Sequence, residues 1–432
     1  MSQPNNTIPL PDQHGRQADT HQDSSTSGPR AKRRSFLGYL ALMGPAFVVG
    51  AWQFGPGNLT TAVQAGSRYD YTLVWVIALS TILMIAFTDM SVRLGITTPT
   101  SLITSIKDHL GKWVGVLAGF GVFGITLMFS VGNAVGSGLG LSLVFGGSPV
   151  LWTVVCTAAV AFVLAFRNVY GIVEKVLLAI VALMAFAFVA SAVVAQPDWY
   201  GSLEGMVPQL PAGSEILIVA LVGTNFSINA AFYNSYGIKE HRRSRADYRD
   251  ITLVDTIPGI VAPGIMTALV IIVAASVLGK TGAEAGTINA LASVFAPLAG
   301  PVGSMLFALG LSGAAFSSMI ANATAGGTMF SDALGRGAAA GSPTARIFTA
   351  VILAFGLAIT LSFQASPVGL IIIAQSLTVL IAPLLGILIV IMSNKTALMG
   401  DLRNRWWHNL LGAIGLIAIV ASSLRLITSL LG

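Results

Sequence analysis

The chain has 432 residues, 54% hydrophobic and 9% charged, with a formal net charge of +6. A mean hydropathy of +0.80 excludes a water-soluble globular domain and requires a polytopic membrane protein whose first partner is the lipid bilayer. The positive balance comes from tail and loop residues and gives no ground for nucleic-acid binding.

Residues 1–34 are polar, carry Pro and Ser and lack apolar periodicity, which predicts a disordered cytoplasmic tail. The apolar run starts only beyond it, without a short hydrophobic stretch and small-residue cleavage site, so no signal peptide is expected. A hydrocarbon core of about 30 Å takes roughly 20 apolar residues per helix. Such segments fall at about 36–66, 72–95, 112–145, 149–167, 171–195, 215–238, 250–278, 298–334, 344–363, 367–393 and 407–431. This predicts an all-α transmembrane domain of eleven helices over 35–432. If the N-terminus lies inside, the 23 Lys and Arg residues all fall on the inner side except Arg68, Lys280 and Arg425. The expected placement is a multi-pass cell-membrane protein with a cytoplasmic N-terminus. The single cysteine, Cys156, leaves no intramolecular disulfide.

The first span contains AWQFGPGNLTT at 51–61, where Gly55, Pro56 and Gly57 precede Asn58. A break there frees backbone groups that only protein or a water-filled cavity can satisfy. In the third span Gly132, Gly136 and Gly140 share one stripe, which predicts close helix packing. SGAAFSSMIANATAGG in the eighth reads the same way. The sixth span carries GTNFSINAAFYN at 223–234, with Gly223, Thr224, Asn225, Ser227 and Asn229 in quick succession. Interrupted helices at corresponding positions of two halves point to a transport site near the midplane between inverted repeats. The repeats are helices one to five (about 36–195) and six to ten (about 215–393), with the eleventh (about 407–431) apart.

Ionisable residues in or near spans are functional candidates by default. Asp89 and Arg93 stand one turn apart and predict an ion pair. Asp332 and Arg336 predict another, Asp255 a helix cap, and Arg425 a side chain snorkelling to the interface. All five histidines fall in the tail, in inner loops or at the inner end of a helix, which argues against a histidine metal site or proton shuttle in the core. No HExxH, paired membrane aspartates, or serine with a basic partner is found, so an enzyme is not expected and no cofactor is implied. A substrate-gated sensor is the competing class, weighed against by the short inner loops.

The chain resembles the natural resistance-associated macrophage protein (NRAMP) family of divalent-metal transporters from about residue 40 onward. MGPAFVVGAWQFGPGNLTTAVQAGSRYDY is similar to the family's first helix, whose signature is DPGN followed by Thr and QAG. GLGLSLVFG, AGGTMFSDALG, AQSLTVLIAP and MSNKTALMGDLRN match later segments in order. The resemblance implies a LeuT-like fold and alternating access. It places Asn58 as a metal ligand, Trp52 and Thr224 as carbonyl donors, and Gln375 at the site. The departures bear on cargo. Gly55 stands where the family has its metal-binding aspartate, and the MPH of the sixth helix falls on Ser227, Ile228 and Asn229. The second histidine of that helix falls on Asn234, and the third helix's acidic pair, associated with proton movement, on Ser130 and Asn133.

A thioether helps to select soft transition metals, and a dehydrated dication without a countercharge is very costly in a low-dielectric site. Two cargoes fit. One is a hydrated cation such as Mg2+, moved without the usual proton coupling, as in a magnesium-transporting branch the resemblance suggests. The other is a small organic anion or carboxylate facing the half-helix N-termini after Asn58 and Asn229. Local electrostatics favours the anion and the resemblance favours the cation. Asn58, Ser227, Asn229, Gln375, Trp52, Thr224 and Gly55 are the candidate substrate-binding residues, with Pro56, Gly57 and Gly223 as helix breakers. Phe226 and Tyr233 are candidate gates or cavity walls.

Overall fold

The computed structural model describes residues 38–39, 42–279, 288–364 and 366–431, so the predicted tail and Lys280 lie outside the described residues. Among these the chain forms helices and no strand. Eleven successive helical segments, here called spans, follow the hydropathy pattern, and among the described residues eight helices are long and apolar enough to cross a membrane. The first is split into Pro45–Gln53 and Pro56–Tyr69. The second is Val74–Thr97, the third Lys112–Phe145, the fourth Pro149–Ala165 and the fifth Arg167–Ala195. The sixth is split into Glu215–Asn225 and Ile228–Glu240. The seventh enters through a π-helical turn, Thr252–Thr256, and continues as Ile257–Val277. Pro301–Ala333, Pro343–Ser362, Pro367–Asn394 and Trp406–Leu431 complete the set. Eight of the described helices have Pro in the first turn, including Pro45, Pro56 and Pro301, where a missing N–H costs nothing.

The third span is the packing hub, lying against the eighth and tenth. Its glycine stripe packs as expected: a Cβ at Gly136 would lie 2.3 Å from the Pro56 Cβ, and one at Gly140 would lie 2.1 Å from the Ser312 Oγ. The second half of span one packs on span seven, and the second half of span six on span two. Each broken helix is therefore enclosed by other spans, which the freed backbone requires.

Cations gather at one end. Lys107 donates to the Asp332 carbonyl at 2.6 Å, Arg93 to Leu402 at 2.8 Å, Arg245 to Met399 at 2.9 Å and Lys395 to His109 at 2.9 Å. Lys239 donates to the Thr98 carbonyl. These bonds join the connections after spans two, six, eight and ten, so an even number of crossings separates them. At this basic end Asp89 pairs with Arg93 at 2.9 Å, as expected, and also accepts from the Tyr248 hydroxyl at 2.9 Å. His408 lies 3.6 Å from the same carboxylate.

Two expected side-chain roles are corrected. Asp332 does not pair with Arg336; it accepts from Ser101 at 2.5 Å, Thr104 at 2.9 Å and Tyr236 at 2.6 Å. The i,i+4 rule holds only within a helix, and this one ends at Ala333, so Arg336 lies beyond it and is exposed. Arg425 does not simply snorkel but pairs with Glu215 at 3.0 Å. Asp255 is a cap, though of a helix other than its own. From the π-turn of span seven it accepts from the N–H groups of Gly44 (2.8 Å), Ala46 (3.1 Å) and Phe47 (3.4 Å), at the start of Pro45–Gln53.

Candidate transport site

Each break is two residues long. In span one only Phe54 and Gly55 leave the helix, Gly55 extended at φ −90° and ψ −177°. Pro56, Gly57 and Asn58 form the first turn of the next helix, so Pro56 and Gly57 are not themselves unwound. Proline at N1 starts a helix as readily as it ends one. In span six the interruption is Phe226 and Ser227. Gly223 lies within Glu215–Asn225 rather than in the break, and its role is close approach, since a Cβ there would sit 2.5 Å from the Gln375 carbonyl.

The two breaks face each other and are directly bonded. Gln53, the last residue of one half-helix, donates its Nε2 to the carbonyl of Asn225, the last residue of another, at 2.6 Å. Thr224 Oγ1 donates to Asn58 Oδ1 at 3.2 Å, and Asn58 Nδ2 donates to Thr267 Oγ1 at 3.1 Å. The Trp52 carbonyl accepts from Ser318 Oγ at 3.2 Å. Ser227 Oγ donates to Asn229 Oδ1 at 2.9 Å. Asn225 Nδ2 anchors the break to span two through Ser80 Oγ at 2.7 Å and Thr81 Oγ1 at 3.0 Å.

Several buried polar atoms here lack a protein partner: both amide atoms of Gln375, Asn229 Nδ2 and Trp52 Nε1. Gln375 is wedged beside two backbones. A Cβ at Gly57 would lie 2.6 Å from its Cδ, and one at Gly132 would lie 2.5 Å from its Nε2. Further along spans three and six, Asn133 Nδ2 and both amide atoms of Asn234 are also unpartnered. Ser130 instead donates within its own helix, to Leu127 at 2.7 Å. Unsatisfied buried amides cost stability and mark positions kept for another purpose. A cavity of about 10 Å³ lined by Gly223, Phe226, Asn229 and Thr378 lies beside the second break, about the least volume that holds one water.

Aromatic rings cover it toward the basic end. Trp52 meets Phe129 edge-on at 6.4 Å and Tyr233 at 6.3 Å, and Tyr233 stacks on Tyr236 at 6.0 Å. Phe226, in the break itself, packs edge-on to Phe87 at 5.1 Å. Phe226 lines the small cavity, and Tyr233 packs against Trp52 and Tyr236. On the far side of Phe226 an apolar crevice of about 280 Å³ opens between spans two, six and eleven, with the Glu215–Arg425 pair at its rim.

Comparison with known proteins follows the same geometry. The family described as "Natural resistance-associated macrophage protein-like" matches residues 46–429. The chain belongs to this family. A relative from Klebsiella pneumoniae subsp. pneumoniae, "Divalent metal cation transporter MntH", is 27% identical over 423 residues, covering 94% of this chain and 98% of that protein. A solved structure of a manganese transporter from Eremococcus coleocola aligns with a TM-score of 0.75 at 18% identity, covering 94% of this chain and 90% of the other. MhsT in complex with L-phenylalanine aligns at 0.58 and 18% identity, over 88% of this chain and 98% of the other. These likenesses establish the LeuT-like fold, and NRAMP-like proteins are transporters rather than enzymes.

Sequence reasoning missed Gln53, Thr267 and Ser318. Thr267 is a polar residue in the apolar run IMTALVIIV, a signal present in the sequence. Ser318 lies in a small-residue stretch read as packing, and nothing in its neighbours singles it out.

Proposed function

We propose that this NRAMP-like chain moves a divalent metal cation by alternating access through the site between its two breaks. Hydrated Mg2+ is the preferred cargo, and the family's usual proton coupling is absent. The observation that carries the reading is the neutrality of the site. Asn58, Thr224, Ser227, Asn229, Thr267, Ser318 and Gln375 bring amides and hydroxyls, and among the described residues no carboxylate, imidazole or thioether bonds to them. Among the described residues no group of three or more His, Cys, Asp or Glu side chains could hold a metal ion. Without a countercharge, a dehydrated dication is too costly here. Mg2+ sheds its water reluctantly, and a hydrated ion presents water hydrogens to amide and carbonyl oxygens. The relative from Klebsiella pneumoniae is a divalent metal cation transporter, which supports a divalent cation as the class.

A second reading has its own support. Neither Pro56–Tyr69 nor Ile228–Glu240 has a side-chain cap at its start, and Asn229 Nδ2 is an unpartnered donor beside the second. Both features suit a small carboxylate. Uptake into proteoliposomes carrying an internal pH indicator separates the readings. Saturable Mg2+ entry without acidification is the expected result. No Mg2+ or Mn2+ entry from folded protein would favour the anion, and acidification linked to uptake would restore proton coupling.

A further inference from the structure

Pro56 has no N–H to give the carbonyl of Trp52, four residues earlier. That oxygen is thereby released from the helix ladder, at the break, where it could bind a cation directly. It is not left free, because Ser318 Oγ in span eight donates to it at 3.2 Å. The same hydroxyl fills the space beside Gly55, where a Cβ would lie 2.8 Å from Oγ and 3.4 Å from the Ser318 Cβ. Gly55 is thus what lets the eighth span reach the carbonyl. Ser318 is buried, and its hydroxyl has no other hydrogen bond among those found in the described residues. A second oxygen at the break, Asn58 Oδ1, lies 3.2 Å from the Thr224 hydroxyl, which also has the Ala220 and Leu221 carbonyls of its own helix at 3.1 Å.

We propose that Ser318 determines the site's cation selectivity: its hydroxyl holds the Trp52 carbonyl, keeping that oxygen out of a cation's inner shell, so an ion is accepted through its waters. The inference rests on the cation reading above. It makes the neutral site selective as well as weak. An ion that dehydrates easily gains most from a bare carbonyl, whereas Mg2+, which keeps several waters, gains little. Removing the hydroxyl should therefore favour Mn2+ over Mg2+.

The test is ion binding to the purified full-length chain, with Mn2+ read by loss of its free paramagnetic-resonance signal and Mg2+ by calorimetry. Ser318→Ala should raise Mn2+ affinity by about fivefold, the worth of one neutral hydrogen bond no longer competing for the carbonyl. Ser318→Cys, close in size with a weak donor, should raise it by a smaller factor, and Ser318→Thr should leave it unchanged. Mg2+ affinity should stay within about twofold throughout. Equal Mn2+ binding by wild type, Ala and Cys forms overturns the inference, as does a parallel change for both ions, which a merely structural role would give. Because the readout is binding, it is separable from the transport reading. A gain of Mn2+ binding in Ser318→Ala alongside absent Mg2+ uptake would sink the Mg2+ reading alone, and Mg2+ uptake with no gain would sink the selectivity role alone.

Discussion

The basic end and the midplane use polar residues in opposite ways. At the basic end the buried carboxylates are saturated: Asp332 accepts from three hydroxyls, Asp89 from Arg93 and Tyr248, and Asp255 from three backbone N–H groups. At the midplane the side chains are neutral and several stay unpartnered, Gln375 and Asn229 among them. Saturated charges lock spans together, while unsatisfied amides hold open a capacity that the protein alone does not use. The difference separates what keeps the fold from what handles the cargo.

The comparison breaks most visibly at Asp332. Ser101, Thr104 and Tyr236 all donate to its carboxylate, so Asp332→Ala leaves the buried Tyr236 hydroxyl unpaired, at roughly 1–3 kcal/mol, and removes an acceptor from two half-buried hydroxyls. The expected outcome is a fall in thermal stability in detergent of several degrees, with transport lost in proportion to folded protein. Stability unchanged in this variant would remove the locking role. Gln375→Leu should show the converse. Its amide has no partner to lose, so the thermal midpoint should hold or rise by the worth of about 1 kcal/mol, while uptake falls at least about tenfold. A joint loss of stability and uptake would mean that Gln375 is structural. The smallest effect is expected at the far end, where Arg425→Gln removes an ion pair whose arginine side chain is 61% exposed. Such pairs contribute at most about 1 kcal/mol, so stability and uptake should match wild type within error.

Much of this was legible in the sequence. Span number and order follow from hydropathy alone, and the existence of both breaks from Gly55, Pro56 and the polar run after Gly223. The exact break residues were not, because Pro56 both ends one helix and begins another, and Gly223 is a packing glycine. Long-range partners were hidden too. Asp255 lies 208 to 211 residues from the N–H groups it caps, and Ser318 lies 266 from Trp52. The error at Asp332 came from extending a local rule past a helix end. Asn58, by contrast, was singled out by its motif, and the structure joins it to both Thr224 and Thr267.

Pro45–Gln53 has nine residues, too few for a helix to persist unaided in water. It is pinned at one tip by Asp255 and near the other by Ser318, like a short lever fastened at both ends to different beams. A third bond, from Gln53 to the Asn225 carbonyl, ties the second tip to span six as well, so loosening Ser318 alone leaves the lever held at both ends.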